Sequence, residues 1–449
     1  MVQYSSSSCR DAGRDALQAC IAITLSLAVP IGIFFAAGRR GAEVSHILYA
    51  AIVTIVVLNS IILGMEAWYG IHKDDAQLEQ SDISCPAASA IIVAYLPNET
   101  TTLLGTIGSF MQLDYPGSLQ IIIAYNTPHS LPIETELQEL GRHEPRLELI
   151  RVNGSTSKAQ NINAAASRVT GEFVGIFDSD HHPDPKSFVR AWRHLSNGHD
   201  VVQGRCVIRN ADASWVTRLV AVEYETLYAV SHPGRTRLHR FGLFGGSNGY
   251  WRTPVLCRTL MNDKMLTEDI DATMRVLQEG GKIAFDRSLI SRELAPETLR
   301  ALWNQRIRWS QGWFQVSLKH LGPALSNRHL STRQKLGVLF LLAWSAVFPW
   351  LSCQIVPILL YWSWCRGERL NWLIPLFVVT TVIALCTVPL QVVCAFRWSS
   401  SDLQRHRWWF AFYILLSTVF YNGFKSLIAQ VAHIKETTRD RHWKVTPRE

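Results

Sequence analysis

The segment Phe173-Val174-Gly175-Ile176-Phe177-Asp178-Ser179-Asp180 decides how this chain is read. Phe173–Phe177 is a short apolar run of the length and kind that a buried strand has. Two carboxylates follow at i and i+2, and His181, His182 and Pro183 close the segment. Working outward, Ala90–Ala94, Leu119–Ala124 and Leu147–Val152 are further short apolar runs that read as strands. Ser157–Arg168 and Lys186–Leu195 carry helical patterning around them. Strands alternating with helices predict an α/β domain with a mostly parallel sheet, of the kind that binds nucleotides.

Farther out the composition changes. The chain of 449 residues is 48% hydrophobic and 18% charged, yet residues 70–335 hold no apolar run long enough to span a bilayer. The apolar residues concentrate toward the ends. Leu17–Ala37 and Ile47–Trp68 each exceed what a helix needs to cross roughly 30 Å of hydrocarbon. They are separated by Arg39-Arg40-Gly41, and a second span following at once argues against a cleaved leader. Beyond Arg333 lie Leu336–Trp364, Trp372–Phe396 and Trp408–Ile434, the last interrupted by Asn422, Gly423 and Lys425. The expected organisation is a polar segment 1–16, two transmembrane helices in 17–69, a domain with interface helices in 70–335, a membrane region 336–434 and a basic tail 435–449.

The sixteen tryptophans, many at the ends of apolar runs, suit the membrane interface. A net charge of +8 is spread along the chain and flanks the apolar runs, with no nucleic-acid motif. Nine cysteines without a CxxC pair exclude a regular disulfide framework or zinc ribbon and read as reduced thiols.

Three motifs carry chemistry. Asp178-Ser179-Asp180 at a strand end can turn one carboxylate to a nucleotide and the other, Asp180, to a divalent metal, since Mg²⁺ and Mn²⁺ favour oxygen ligands. Leu266-Thr267-Glu268-Asp269 precedes an expected helix Ile270–Glu279, with Thr267 as its N-cap. Acidic residues suit such a start, and Asp269 is also placed to be a general base. Gln305-Arg306-Ile307-Arg308-Trp309 opens an amphipathic stretch to Leu318, in which Gln305, Arg308 and Trp309 share a face. An arginine there can grip a diphosphate by bidentate hydrogen bonds.

Taken in this order between apolar spans, the motifs resemble the membrane-bound family 2 glycosyltransferases: cellulose, chitin and hyaluronan synthases and their relatives. Ala94–Glu99 resembles their uridine-holding loop, Ser157–Asn163 their KAxxxN segment, Phe244–Gly249 their glycine-rich acceptor turn and Trp443–Arg448 the gating loop of cellulose synthases. The resemblance implies a GT-A-like fold and an inverting transfer from a UDP-sugar. It assigns catalysis to Asp269 and Glu268, and nucleotide-sugar binding to Tyr95, Glu99, Lys158, Asp178, Gln305, Arg308 and Trp309. It gives the acceptor to Gly246, Ser247 and Trp309, gating to Trp443, Val445, Thr446 and Arg448, and Mg²⁺ or Mn²⁺ to Asp180. The implied partners are a UDP-sugar, a polysaccharide or lipid acceptor and the lipid bilayer, with no nucleic acid. The implied location is a multi-pass protein of the plasma membrane with a cytoplasmic catalytic domain.

Two features depart from the family pattern. Tyr125-Asn126-Thr127-Pro128 stands where many relatives carry an acidic pair, and the gating-like segment begins with Trp443. A processive polymer synthase is the leading reading, ahead of a non-processive enzyme acting on a membrane lipid and of a membrane scaffold without activity. The basic tail predicts that Trp408–Ile434 lies along or dips into the cytoplasmic face rather than crossing as a single helix.

Overall fold

A computed structural model describes residues 9–42, 44–72, 84–366 and 374–440. The expected gating residues Trp443, Val445, Thr446 and Arg448 lie outside them.

Eight strands form one sheet: β1 (Ala88–Tyr95), β2 (Leu119–Asn126), β3 (Leu147–Arg151), β4 (Phe173–Asp178), β5 (His182–Pro183), β6 (Val201–Ile208), β7 (Gly249–Arg252) and β8 (Ile283–Glu293). Their order is β3-β2-β1-β4-β7-β6-β8-β5. The parallel arrangement expected from the sequence holds from β3 through β4 and again between β6 and β8. β7 runs antiparallel to β4 and β6, and β5 antiparallel to β8, so the far half of the sheet is mixed.

The first strands are continuous apolar runs because both faces are covered. Ile92 and Ala94 enter one core with Phe173 and Phe177, while Ile91 and Val93 enter the other with Val174 and Ile176. Phe110 meets Phe177 edge-on at 4.8 Å, and Tyr250 meets it at 5.7 Å. Such contacts favour T-shaped geometry, and they fix the strand that ends in Asp178.

Five helices among the described residues are long and apolar enough to cross a membrane: Gly13–Gly38, Val44–Ile71, Thr332–Cys365, Val378–Trp398 and Arg407–Thr437. The Val44–Ile71 helix docks on the α/β domain through tight backbone contact. A Cβ at Gly70 would stand 2.4 Å from the Val230 carbonyl oxygen, and one at Gly234 would stand 1.8 Å from that of Glu66. The fully buried Glu66 accepts from Arg235 Nε at 3.2 Å, and Gly70 O accepts from Arg287 Nη2 at 2.6 Å.

The Glu268–Gln278 helix packs on the longer Leu299–Ser326 helix. Thr298 caps the latter, accepting from Ala301 N at 3.2 Å. Thr267 occupies the N-cap position of the former, but its hydroxyl makes no cap bond. Its surroundings explain the difference: Thr267 is pressed against Gly312, where a Cβ would come within 2.4 Å of it. The buried Asp271 holds the two helices in register, accepting from His320 Nε2 at 2.8 Å, Lys319 Nζ at 2.6 Å and Arg275 Nε at 2.8 Å. Burial raises its pKa, but His320 and Lys319 outweigh that and hold it well below the carboxylate range. Removing one member of a buried ionic group costs roughly 3–5 kcal/mol. Asp271→Ala is therefore expected to lose about 3 kcal/mol, near the lower end because Lys319 and Arg275 reach solvent. Thermal unfolding in detergent measures it, and a loss below about 1 kcal/mol would remove this tie from the account.

Candidate active site at the sheet edge

The parallel register pairs Val93 with Asp178, so the carboxylate motif emerges beside the end of β1 at the carboxyl edge of the strands. This is where open α/β sheets bind ligands. A cavity of about 460 Å³ opens there.

Every residue expected to bind donor or acceptor among the described ones lines this cavity, and so do Glu268 and Asp269. Tyr95 and Glu99 form one wall, with Glu99 Oε2 accepting from Tyr95 N at 2.8 Å. Gln305, Arg308 and Trp309 line it from one face of the Leu299–Ser326 helix. Asp178 reaches the cavity, whereas Asp180 is fully buried behind it and accepts from Leu294 N at 3.1 Å through Oδ2. Asn126, in place of the acidic pair, donates to Ser155 O at 3.0 Å and accepts from Asn161 Nδ2 at 2.9 Å.

Lys158 binds the parts together. Ser157 caps its helix, accepting from Gln160 N at 3.2 Å, which sets Lys158 at the first turn. Lys158 Nζ lies 2.5 Å from Asp178 Oδ1 and donates to Gly246 O at 2.8 Å. Burial lowers the lysine pKa, but Asp178 and Glu268 outweigh it and keep the ammonium charged.

Gly246 has φ +88°, and a Cβ there would stand 2.8 Å from Asp269 Oδ2. Ser247 Oγ accepts from Asp178 N at 3.1 Å. The glycine turn thus touches both acidic motifs. Asp269 has its pKa pushed up to about 7, first by burial and then by the neighbouring Glu268 charge. Lys158 and Arg308 pull the other way.

Sequence reasoning missed Tyr224, Tyr228, His232 and Glu293, which also line the cavity. The first three sit on a helical stretch between β6 and β7 whose pattern reads as ordinary core. His232 stacks on Tyr228 at 4.8 Å. Glu293 ends β8 and pairs with His181 Nε2 at 3.0 Å.

The carboxylates of Asp178, Asp180 and Glu293 give this corner hard oxygen donors, a set suited to Mg²⁺ or Mn²⁺. His181, Cys206 and Glu293 also bring ligand atoms within 4.8 Å of one another. Both His181 ring nitrogens are engaged, by Ser291 and Glu293, and burial raises the Cys206 thiol pKa well above its usual value. That trio therefore reads as packing.

A family profile described as glycosyltransferase like family 2 matches residues 86–312. A probable glycosyltransferase of Bacillus subtilis, YdaM, is 26% identical over 242 residues, covering 53% of this chain and 57% of its own length. The probable glucomannan 4-beta-mannosyltransferase 3 of Arabidopsis thaliana is 26% identical over 284 residues, covering 61% and 50%. The chain thus spans about half the length of these curated relatives. Among solved structures, a mannosyltransferase from Pyrobaculum calidifontis in complex with GDP-Man and Mn2+ superposes with a TM-score of 0.56 at 16% identity. It covers 87% of this chain and 99% of its own, a likeness of fold.

The turn at Gly246 yields a direct test. Gly246→Ala forces a side chain into left-handed backbone and against Asp269, whereas Gly198, at φ +85°, has nothing within 4 Å of a Cβ. Backbone strain of this kind costs about 1–3 kcal/mol. Both variants should lose stability by thermal unfolding, but only Gly246→Ala should weaken nucleoside diphosphate binding in calorimetry. Equal binding by the two would detach the glycine turn from the site.

Proposed function

The chain belongs to glycosyltransferase family 2, and on that premise we propose that it elongates a membrane-associated polysaccharide by inverting transfer of a hexose from a nucleoside-diphosphate sugar. One observation carries this reading: Asp178, Lys158, Asp269, Arg308 and Trp309 line a single cavity at the carboxyl edge of the sheet. An acceptor hydroxyl would attack the anomeric carbon and give its proton to Asp269. The new carbon–oxygen bond forms as the bond to the diphosphate breaks, and the electron pair leaves with the nucleotide. Asp269 suits the task because its pKa of about 7 is matched to neutral pH. Lys158 and Arg308 would face the leaving diphosphate, where fixed cations stabilise developing charge. Mg²⁺ or Mn²⁺, held by Asp180 with Asp178 beside it, would supply further neutralisation of that charge.

Polymer is favoured over lipid as the acceptor. The cavity runs from Asn126 to Tyr228, His232 and Arg235, residues on the helices that pack against the Val44–Ile71 helix. Its acceptor end therefore lies toward the membrane helices. The glucomannan mannosyltransferase relatives point to polysaccharide as well. The Pyrobaculum calidifontis mannosyltransferase, in complex with GDP-Man, adds GDP-mannose to the UDP-sugars implied by the motifs. Purified protein offered UDP-glucose, UDP-N-acetylglucosamine and GDP-mannose is expected to make an ethanol-insoluble polymer from one of them. A product found only in the lipid extract would make it a lipid glycosyltransferase.

Asp269→Asn should reduce kcat by about 10²–10⁴-fold while nucleotide affinity stays nearly unchanged. For the unaltered enzyme, kcat/KM should fall as pH drops below about 7, because the carboxylate is then protonated. Glu268→Gln removes a like charge, lowers the Asp269 pKa and should move this limb to lower pH. An unmoved limb would assign the titration to another group.

The catalytic domain is proposed to face the cytoplasm, with four crossings. Gln18 donates to Asp440 at 3.2 Å, and Arg205 donates to Trp398 O at 3.0 Å, so one end of the first and fourth spans lies beside the domain. A Cβ at Gly38 would meet Tyr361, at the opposite ends of their helices. The Arg407–Thr437 helix touches the domain at both ends. Arg218 lies 5.3 Å over Trp409, and Gln311 donates to Glu436 at 3.0 Å. A helix tied to one face at both ends makes no single crossing. Thr446→Cys, in a background lacking the native cysteines, should resist an impermeant maleimide in intact cells and react after permeabilisation. Labelling in intact cells would reverse the proposed side of the tail.

A further inference from the structure

We propose that Glu223 is a positioning residue for the acceptor sugar, acting through Arg306 on the indole of Trp309, and that Tyr421 and Lys425 tie the carboxy-terminal helix into the same anchor. This rests on Trp309 being part of the acceptor site.

Three elements meet at this point: the helix Trp215–Tyr224, the helix Leu299–Ser326 and the carboxy-terminal helix Arg407–Thr437. Glu223 Oε2 accepts from Arg306 Nη2 at 2.5 Å and from the Tyr421 hydroxyl at 2.8 Å. Its other oxygen faces Lys425 Nζ at 3.4 Å. The side chains of Glu223 and Arg306 are 13% and 12% exposed. A carboxylate taken this far out of water costs several kcal/mol unless its partners are complete. Here each oxygen has a cation and one also has a phenol. Burial raises the Glu223 pKa, but Arg306 and then Lys425 outweigh it, so the group stays ionised.

Arg306 carries the effect into the cavity. Its guanidinium stands 4.4 Å from the Trp309 ring centroid, inside the roughly 6 Å range of a cation–π contact. The i, i+3 spacing on one helix brings the two side chains together. Trp309 lines the cavity. The indole is therefore held by arginine and by the apolar cluster it packs against, and the part that lines the cavity is what a sugar ring would meet. Arg306 also fixes the tilt of that platform, since a planar cation held by Glu223 has little freedom to move. Lys425 belongs to the same device. It lies one turn from Tyr421 and 4.8 Å from its ring, so a shift of the carboxy-terminal helix would change what Glu223 can offer Arg306. Without the carboxylate, the buried Arg306 would face the half-exposed Lys425 with no charge between them and would be driven off the indole.

Glu223→Gln keeps shape and removes the charge. With mannohexaose and cellohexaose as acceptor probes, the acceptor KM is expected to rise about tenfold, in the range of one desolvated cation–π contact. UDP and GDP affinity by calorimetry should stay within about twofold, since a free nucleotide carries no sugar ring for Trp309 to meet. In a Trp309→Ala background, Glu223→Gln should add nothing further to the acceptor KM, because the two act through one contact. An unchanged acceptor KM, a fully additive double variant, or nucleotide affinity falling in step would each overturn the proposal. If Glu223→Gln does not fold, Arg306→Lys carries the test. It keeps the ion pair and loses the planar cation, and it should reproduce the acceptor defect at normal nucleotide affinity; an unchanged acceptor KM there overturns the proposal too. A wild-type protein that neither binds nucleotide nor turns over a donor would sink the enzymatic reading instead.

Discussion

One half-buried ammonium group holds the site together. Lys158 touches Asp178 from the β4 end and the Gly246 carbonyl from the glycine turn, and its charge is felt by Glu268 and Asp269. Three carboxylates around one cavity would otherwise repel one another at low dielectric. With Lys158 and Arg308 present, Asp269 is raised only to about 7, a value at which a carboxylate still accepts a proton at neutral pH. The same balance supports a divalent cation. A diphosphate entering this cavity adds its negative charge to that of Asp178 and Glu268, and together they exceed what Lys158 and Arg308 offset.

The second constraint is how closely the domain sits on its membrane helices. Contact at Gly70 and Gly234 is backbone against backbone. The fully buried Glu66 and the Arg287 bond to Gly70 O add directional ties. Such a joint resists sliding, because no side chain lies between the elements to re-pack. Tyr228 and His232 belong to the same stretch that makes this contact, so that part of the cavity wall is built on the joint itself.

The sequence was legible where a strand is buried on both faces or where polar motifs stand against apolar surroundings. β1 to β4 appear as predominantly apolar runs, the motifs at Asp178 and Asp269 stand at element ends, and the one at Arg308 lies inside the amphipathic Leu299–Ser326 helix. β6 and β8 escaped because they carry Arg205, Asp286 and Arg287 within them, each bonded to a partner distant in sequence, and β7 because it is only four residues long. Asp286 pairs with His194, and Arg205 pairs with Glu225. Thr267 misled for a related reason. Its position follows the N-cap rule, but close packing on Gly312 takes the place of the cap bond. The stretch carrying Tyr224, Tyr228 and His232 has ordinary core composition, and only the tertiary fold turns those rings into a cavity wall.

The account stands or falls on where a nucleotide binds. A cryo-electron-microscopy structure of the protein in lipid nanodiscs, with UDP or GDP and Mn²⁺, tests this most directly. The predicted result is a diphosphate lying between Lys158 and Arg308, with the metal on Asp180 and the base toward Asn126. Density for the nucleotide away from this cavity, or a diphosphate that leaves Lys158 paired to Asp178 and untouched by phosphate, would contradict the account.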